Sequence, residues 1–379
     1  MPEPLKNQFG VDVPVRIATM ISAVHRRFPV DAFVANALAG YEALELLPRA
    51  QQIATVLHEH LPRSYEKAAD ILLASLGPKL EGTENHGMVP FIYMPHVCFV
   101  RQYGLDHFEA SMIANYELTQ RFTAEFSIRP FLERYPEQTL AQLETWVEDS
   151  NPHVRRLVSE GTRPRLPWAP RLKQFQKNPR PVLTLLELLK DDSVLYVRRS
   201  VANNLNDIGK DHPDQLVKTA HRWLKGASAD RQWLVKHALR SAIKRADPGA
   251  LDVMGFGKVA RVSLENINIR PKCPNIGGSV VIAFEISNTS AQRQSVLVDL
   301  CVHFIKSSGK TSPKVFKLKA IEFAPGETVK LSKTLSLANM TTRKHYAGCH
   351  AIEVVLNGRA QALGVFKLMN KKPTSEMSG

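Results

Sequence analysis

Carboxylates and guanidinium groups recur at helical spacing in the first 250 residues, and that spacing suggests chemistry. Arg121, Glu125 and Arg129 fall at steps of four, as do Arg156 and Glu160, with Arg163 three residues on. Arg199, Asn203 and Asp207 form a third set, and Lys236, Arg240 and Lys244 a fourth. Side chains four apart share one side of a helix, so each set should project as a row. Glu125, Glu160 and Asp207 would then be three carboxylates in an otherwise basic groove. Such acids repel phosphate, but they make sense if something cationic must bind there. The plainer reading is ordinary ion pairing, at about 0.3–0.5 kcal/mol per exposed pair. Recurrence of the acids at equivalent steps, with the last row wholly basic, argues for the groove.

Rows of this kind need helices set side by side. VRIATMISAVHRRF, PRAQQIATVLHEHL and QTLAQLETWVEDS space apolar residues at three and four, as amphipathic helices do. ELTQRFTAEFSIRPF, PHVRRLVSEGTRP, LYVRRSVANNLNDIGKDHPD and QWLVKHALRSAIKRADPG look like one repeated unit. Arg121, Arg156, Arg199 and Arg240 anchor the units at intervals of 35, 43 and 41 residues. That period predicts two-helix HEAT-like repeats stacked into a solenoid with a concave face. Gly161 is expected to cap the second unit's helix, and the prolines of GTRPRLPW to stiffen a basic loop.

Past residue 250 the pattern changes to alternation. KVARVSLENINI, VVIAFEIS, SVLVDLCVHFI, KVFKLKAIEF, ETVKLSKTLSL, HAIEVVLNG and AQALGVFKL read as seven short strands separated by turn signals. The expected architecture is an all-α HEAT-like-repeat solenoid, residues 1–250, followed by an immunoglobulin-like β-sandwich, residues 251–370. Residues 371–379 are expected to be a disordered tail.

The net charge of +14 points to a polyanionic partner, nucleic acid first. Residues 251–379 hold 18 Lys/Arg against 8 Asp/Glu, so most of the excess lies in the β-rich part. No apolar run is long enough for a membrane span, and the N-terminus lacks a signal-peptide core, so a cytoplasmic protein is expected. Cys98, Cys273, Cys301 and Cys349 form no CxxC pair, which argues for buried thiols rather than a zinc site or disulfides. Trp146, Trp223 and Trp233 read as helix-packing residues.

HVRRLVSEGTRPRLPW followed by YVRRSVANNLNDIGKDHPD closely resembles the AlkC branch of the AlkC/AlkD DNA alkylation-repair glycosylases, bacterial HEAT-like-repeat proteins. The resemblance runs from about Leu5 to Ala246. Some members of the branch carry a C-terminal immunoglobulin-like domain, which matches the β-rich part. The resemblance implies hydrolysis of the N-glycosidic bond of cationic alkylated bases, mainly 3-methyladenine, in double-stranded DNA, by a monomer without cofactor or metal. Glu125, Glu160 and Asp207 are the implied catalytic acids, Asp207 positioning water and Glu160 facing the sugar. Arg156, Arg163, Arg199, Asn203, Lys236, Arg240 and Lys244 are expected at the DNA, with a structural salt bridge to the neighbouring acid as the competing role for Arg156 and Arg199. Trp168 is expected to stack on the lesion or the backbone, or else to pack its loop. In the β-domain, Lys314, Lys317, Lys319, Arg343 and Lys344 are expected to reach the duplex. The rival reading is a non-enzymatic scaffold that binds nucleic acid or protein through the same groove.

Overall fold

The structure, a computed structural model, describes residues 4–84, 86–340 and 343–370, so the expected tail lies outside the described residues. Helices come first: α1 (Asp12–Val24), α2 (Val30–Leu38), α3 (Leu46–His60), α4 (Tyr65–Ala74), α5 (Met94–Tyr103), α6 (Phe108–Thr119), α7 (Arg129–Arg134) and α8 (Pro136–Thr145). They continue through α9 (Pro152–Gly161), α10 (Lys173–Lys177), α11 (Arg180–Leu189), α12 (Leu195–Ile208), α13 (Pro213–Leu224), α14 (Ala229–Lys244) and α15 (Pro248–Val253). Strands follow: β1 (Val262–Arg270), β2 (Ser279–Asn288), β3 (Gln294–Ile305), β4 (Thr311–Phe323), β5 (Thr328–Ser336), β6 (Gly348–Leu356) and β7 (Arg359–Leu368). Among the described residues no helix is long and apolar enough to cross a membrane.

The chain forms two compact units. One holds residues 1–216 and 222–238, the other 217–221 and 239–379, so the division runs through α13 and α14. In the first unit, apolar faces with the predicted helical period meet in a core that includes Ile17, Phe33, Ile53, Leu57 and Phe99. α9 packs against α12, and α11 backs both. Trp223 and Trp146 are buried, as expected for packing residues, whereas Trp233 is more than a third exposed and stacks on His237.

One predicted helix is absent. Arg121, Glu125 and Arg129 were expected to form a helical row, but residues 121–128 are an irregular turn between α6 and α7. Their side chains diverge: Arg121 Nε donates to the Gly77 carbonyl at 2.6 Å, and Arg129 is buried.

The strands of the second unit form a two-sheet antiparallel sandwich, ordered β1-β2-β5 and β4-β3-β6-β7. Alternate residues point inward, as in β2, where Val280, Ile282, Phe284 and Ile286 are buried. They meet Val296, Val298, Leu300, Val302 and Phe304 of β3 to form the core. β3 is an interior strand of its sheet, and its outward Asp299 and Cys301 are buried as well. The cysteines divide: Cys98 and Cys301 are buried, but Cys273 and Cys349 are exposed, against expectation.

Candidate active site

α9 begins where the Asn151 side chain accepts from the His153 N–H at 2.9 Å, with Pro152 at the first helical position. Gly161 ends the helix, yet it is not in the left-handed conformation expected of a capping glycine, and Thr162 after it is right-handed too. A Cβ on Gly161 would lie 2.7 Å from Ile128 Cγ2, so close packing explains the glycine. α12 is keyed to α9 by Asn204, whose Nδ2 donates to the Ser159 carbonyl at 2.7 Å and to Thr162 Oγ1 at 3.1 Å.

This packing sets Glu160 and Asp207 on either side of Arg163. Arg163 Nη1 donates to Glu160 Oε1 at 2.6 Å, and its Nε donates to Asp207 Oδ2 at 2.8 Å. Ser200 Oγ donates to the second Glu160 oxygen at 2.6 Å, and Lys210 Nζ to the second Asp207 oxygen at 2.7 Å. Arg156 lies over the Tyr196 ring, 5.1 Å from its centroid. Its Nη2 is 3.0 Å from Glu125 Oε2 and 3.6 Å from Glu160 Oε1. Thus Glu125, though on a turn rather than a helix, still joins the other acids. Thr123 supports it by donating to Glu125 Oε2 at 3.0 Å.

Burial pushes the Glu160 carboxyl up, but Arg156, Arg163 and the Ser200 hydroxyl outweigh burial and hold it below the ordinary glutamate range. Burial likewise opposes the charge on Arg163, and Glu160 and Asp207 reverse the effect, keeping that guanidinium firmly protonated. Three carboxylates face Arg156, Arg163 and Lys210, so the cluster is formally neutral. It can present anionic oxygens without repelling a phosphate at longer range.

An open cleft of about 620 Å³ borders this cluster. Glu125, Glu160, Arg156, Arg163 and Arg199 line it, together with Phe91, Phe122, Phe126, Tyr196 and Trp168. Asp207 does not line it: only 1% exposed, it reaches the cleft through Arg163. Arg156 and Arg163, expected as phosphate contacts, both pair with carboxylates, which for Arg156 is the competing role of a structural salt bridge. Arg199 is exposed on the cleft wall, while Asn203 is half-buried.

Trp168 is 70% exposed at the rim and has φ of 63°, a conformation rare for a bulky residue. Packing its own loop is therefore not its role. Arg129 organises that loop: Nη1 donates to the carbonyls of Gly161 and Arg163 at 3.0 and 2.8 Å, and Nη2 to that of Pro170. Burial brings the Arg129 guanidinium down to about 10. Ser200, Tyr196 and Lys210 were not singled out from sequence, and Arg129 was read only as part of a helical row. A signal was present on α12, because Tyr196, Ser200, Asn203 and Asp207 keep the helical period better than a row begun at Arg199.

On α14, Lys236 and Lys244 are exposed and Arg240 is half-buried. The sandwich lysines do not form one row. Strand register puts Lys314 opposite Val302 and Lys317 opposite outward-facing Asp299, while Lys319, opposite Val298, is exposed and Leu318 beside it packs against the core. The pairing is irregular between Val298 and Asp299. Lys314 lies over the Phe316 ring and Arg343 over Phe304, at 5.4 and 5.8 Å, while Lys344 is exposed.

Helical layers bearing buried, arginine-held carboxylates beside an open cleft, with an immunoglobulin-like sandwich following in the chain, define the class of molecule. A family model described as "Uncharacterised protein YhaZ, C-terminal Ig-like domain" matches residues 263–370. A Bacillus subtilis (strain 168) protein, "Uncharacterized protein YhaZ", is 39% identical over 324 residues, 86% of this chain and 87% of its own length. The solved structure of "Pseudomonas fluorescens alkylpurine DNA glycosylase AlkC bound to DNA containing an abasic site analog" matches with a TM-score of 0.89. It is 36% identical, and the match covers 97% of this chain and 100% of that one. The chain belongs to the AlkC branch of the HEAT-like-repeat family, in the form that carries a C-terminal immunoglobulin-like domain.

Proposed function

We propose that the protein is a DNA glycosylase of base excision repair that hydrolyses the N-glycosidic bond of cationic alkylated bases, 3-methyladenine foremost, in double-stranded DNA. The observation that carries this reading is Glu160, a buried carboxylate on the cleft wall that two arginines keep ionised. The relative described as an alkylpurine DNA glycosylase bound to DNA supports it.

The chemistry follows from the leaving group. A base alkylated at a ring nitrogen already carries positive charge, so it departs with the bonding electrons as a neutral molecule and needs no general acid. Positive charge then builds on the deoxyribose in an oxocarbenium-like transition state. Glu160 and Glu125 stabilise that charge from fixed positions, without reorganising as it develops. Water adds at the anomeric carbon and loses its proton to a carboxylate or to solvent, leaving an abasic site. Asp207 works at one remove, by fixing the Arg163 fork that aims Glu160. Trp168 at the rim stacks on the exposed lesion or its neighbour. Arg199, Asn203, Lys236, Arg240 and Lys244, and on the sandwich Lys314, Lys317, Lys319, Arg343 and Lys344, supply backbone attraction that is independent of sequence.

The test is a single-turnover time course of base release from methylated duplex DNA, with DNA affinity measured alongside. Glu160→Gln should slow release at least about 100-fold while leaving affinity unchanged or tighter. Asp207→Asn should slow it as well. Wild-type release by both variants would overturn the assignment in favour of a DNA-binding scaffold.

A further inference from the structure

The outward face of the sheet β4-β3-β6-β7 carries a group of side chains that the reaction does not use. Cys301 and His303 are two apart on β3 and therefore share that face. Glu353 of β6 stands directly opposite Cys301 in the strand register. His303 Nε2 is 2.8 Å from Glu353 Oε2 and 3.9 Å from Cys301 Sγ, and the three donor atoms all lie within 4.8 Å of one another. A tetrahedral ion with a thiolate at about 2.3 Å and N or O donors at about 2.0–2.2 Å needs donor separations of this order.

We propose that Cys301, His303 and Glu353 form a zinc site on the sandwich, with Sγ, Nε2 and Oε2 as ligands and a fourth position open to water. The donor set selects the metal. Thiolate with imidazole favours zinc over the hard cations magnesium and calcium, which prefer all-oxygen shells. A thiolate and a carboxylate together neutralise a divalent ion. Access is suitable too: Cys301 is buried while the side chains of His303 and Glu353 are 29% and 33% exposed, so an ion can enter from solution.

Two further features centre on the same spot. Asp299, the preceding residue on this face of β3, is 4% exposed, and its Oδ1 has no hydrogen-bond partner among the described residues. A buried carboxyl oxygen left unpaired is costly; Lys317, opposite Asp299 in the register, offsets part of that cost, and an ion at the neighbouring cluster would add to the offset. The pairing also slips on both flanks of the β3–β6 pair, between Val298 and Asp299 on one side and between Ile352 and Glu353 on the other. Irregularities of this kind re-aim side chains locally.

Full-length protein stripped with a chelator is titrated calorimetrically with zinc chloride. One saturable equivalent is expected, with affinity reduced at least about tenfold in His303→Ala and Glu353→Gln, since even outer-shell changes cost that much. Cobalt(II) should give a thiolate charge-transfer band that Cys301→Ser removes. Circular dichroism checks that each variant is folded. Should a variant fail to fold, the cobalt spectrum of the wild type decides by itself. No saturable equivalent in the folded wild type, no thiolate band, or equal affinity in folded variants would each overturn the proposal.

Discussion

The carboxylate cluster between α9 and α12 and the lysine-bearing strand β4 are both rich in charge, but they handle it in opposite ways. In the cluster every acid is held by more than one donor and nearly removed from water: the Glu160 side chain is 7% exposed and that of Asp207 1%. On the sandwich, Lys317 and Lys319 are exposed, and even the paired Lys330 has an 85% exposed side chain. Water screens the second arrangement and not the first. Fixed buried charges can act on a reacting atom at a set distance, whereas exposed lysines contribute a diffuse field and faster encounter. Net charge, most of it from the β-rich part, thus says little about where the chemistry is.

The contrast can be broken most severely at Arg163. Arg163→Leu leaves two buried carboxylates without their shared guanidinium, and should cost about 3–5 kcal/mol in chemical denaturation. A loss below 1 kcal/mol would show that the cluster is as weakly coupled as a surface pair.

A smaller effect is expected at His96, which is buried with no hydrogen-bond partner for either ring nitrogen among the described residues. Burial brings it down to about 4 from the ordinary 6.5. The unfolded chain therefore binds the extra proton between those values, so stability falls as pH drops through that window. His96→Leu should remove about 2 kcal/mol of the stability lost by the wild type between pH 7 and pH 5. Identical pH slopes in the two proteins would refute this.

The smallest effect belongs to the strand lysines. Lys317→Gln and Lys319→Gln should each change stability by less than about 0.5 kcal/mol. If the proposed DNA contacts hold, each should reduce the slope of log affinity against log salt by about one. An unaltered slope would remove these lysines from the interface.

The seven strands were legible in the sequence because alternation and turn residues act locally. The α9 and α12 helices were legible for the same reason, through period and capping. The first row was misread because Arg121, Glu125 and Arg129 keep a spacing of four while the chain between them turns irregularly. Spacing alone does not make a helix when the local backbone bonds go elsewhere. Glu125 nevertheless joins the cluster, brought there by tertiary packing that no period encodes. How far Arg156 and Arg163 are covered and paired was not legible from spacing, because it depends on which neighbours pack over a side chain. The Cys301–His303–Glu353 group was hidden for a further reason: only strand register brings Glu353, fifty positions away, beside the other two.

The Arg129 guanidinium holds the carbonyls of Gly161, Arg163 and Pro170 from within the protein. The loop bearing Trp168 is thereby ordered when the chain folds, before any partner arrives. Conformational entropy that a flexible loop would surrender at each encounter, about 1–2 kcal/mol per residue fixed, has already been given up. A partner would meet a rigid indole on a preset backbone, and affinity could then go toward deforming that partner rather than toward ordering the protein.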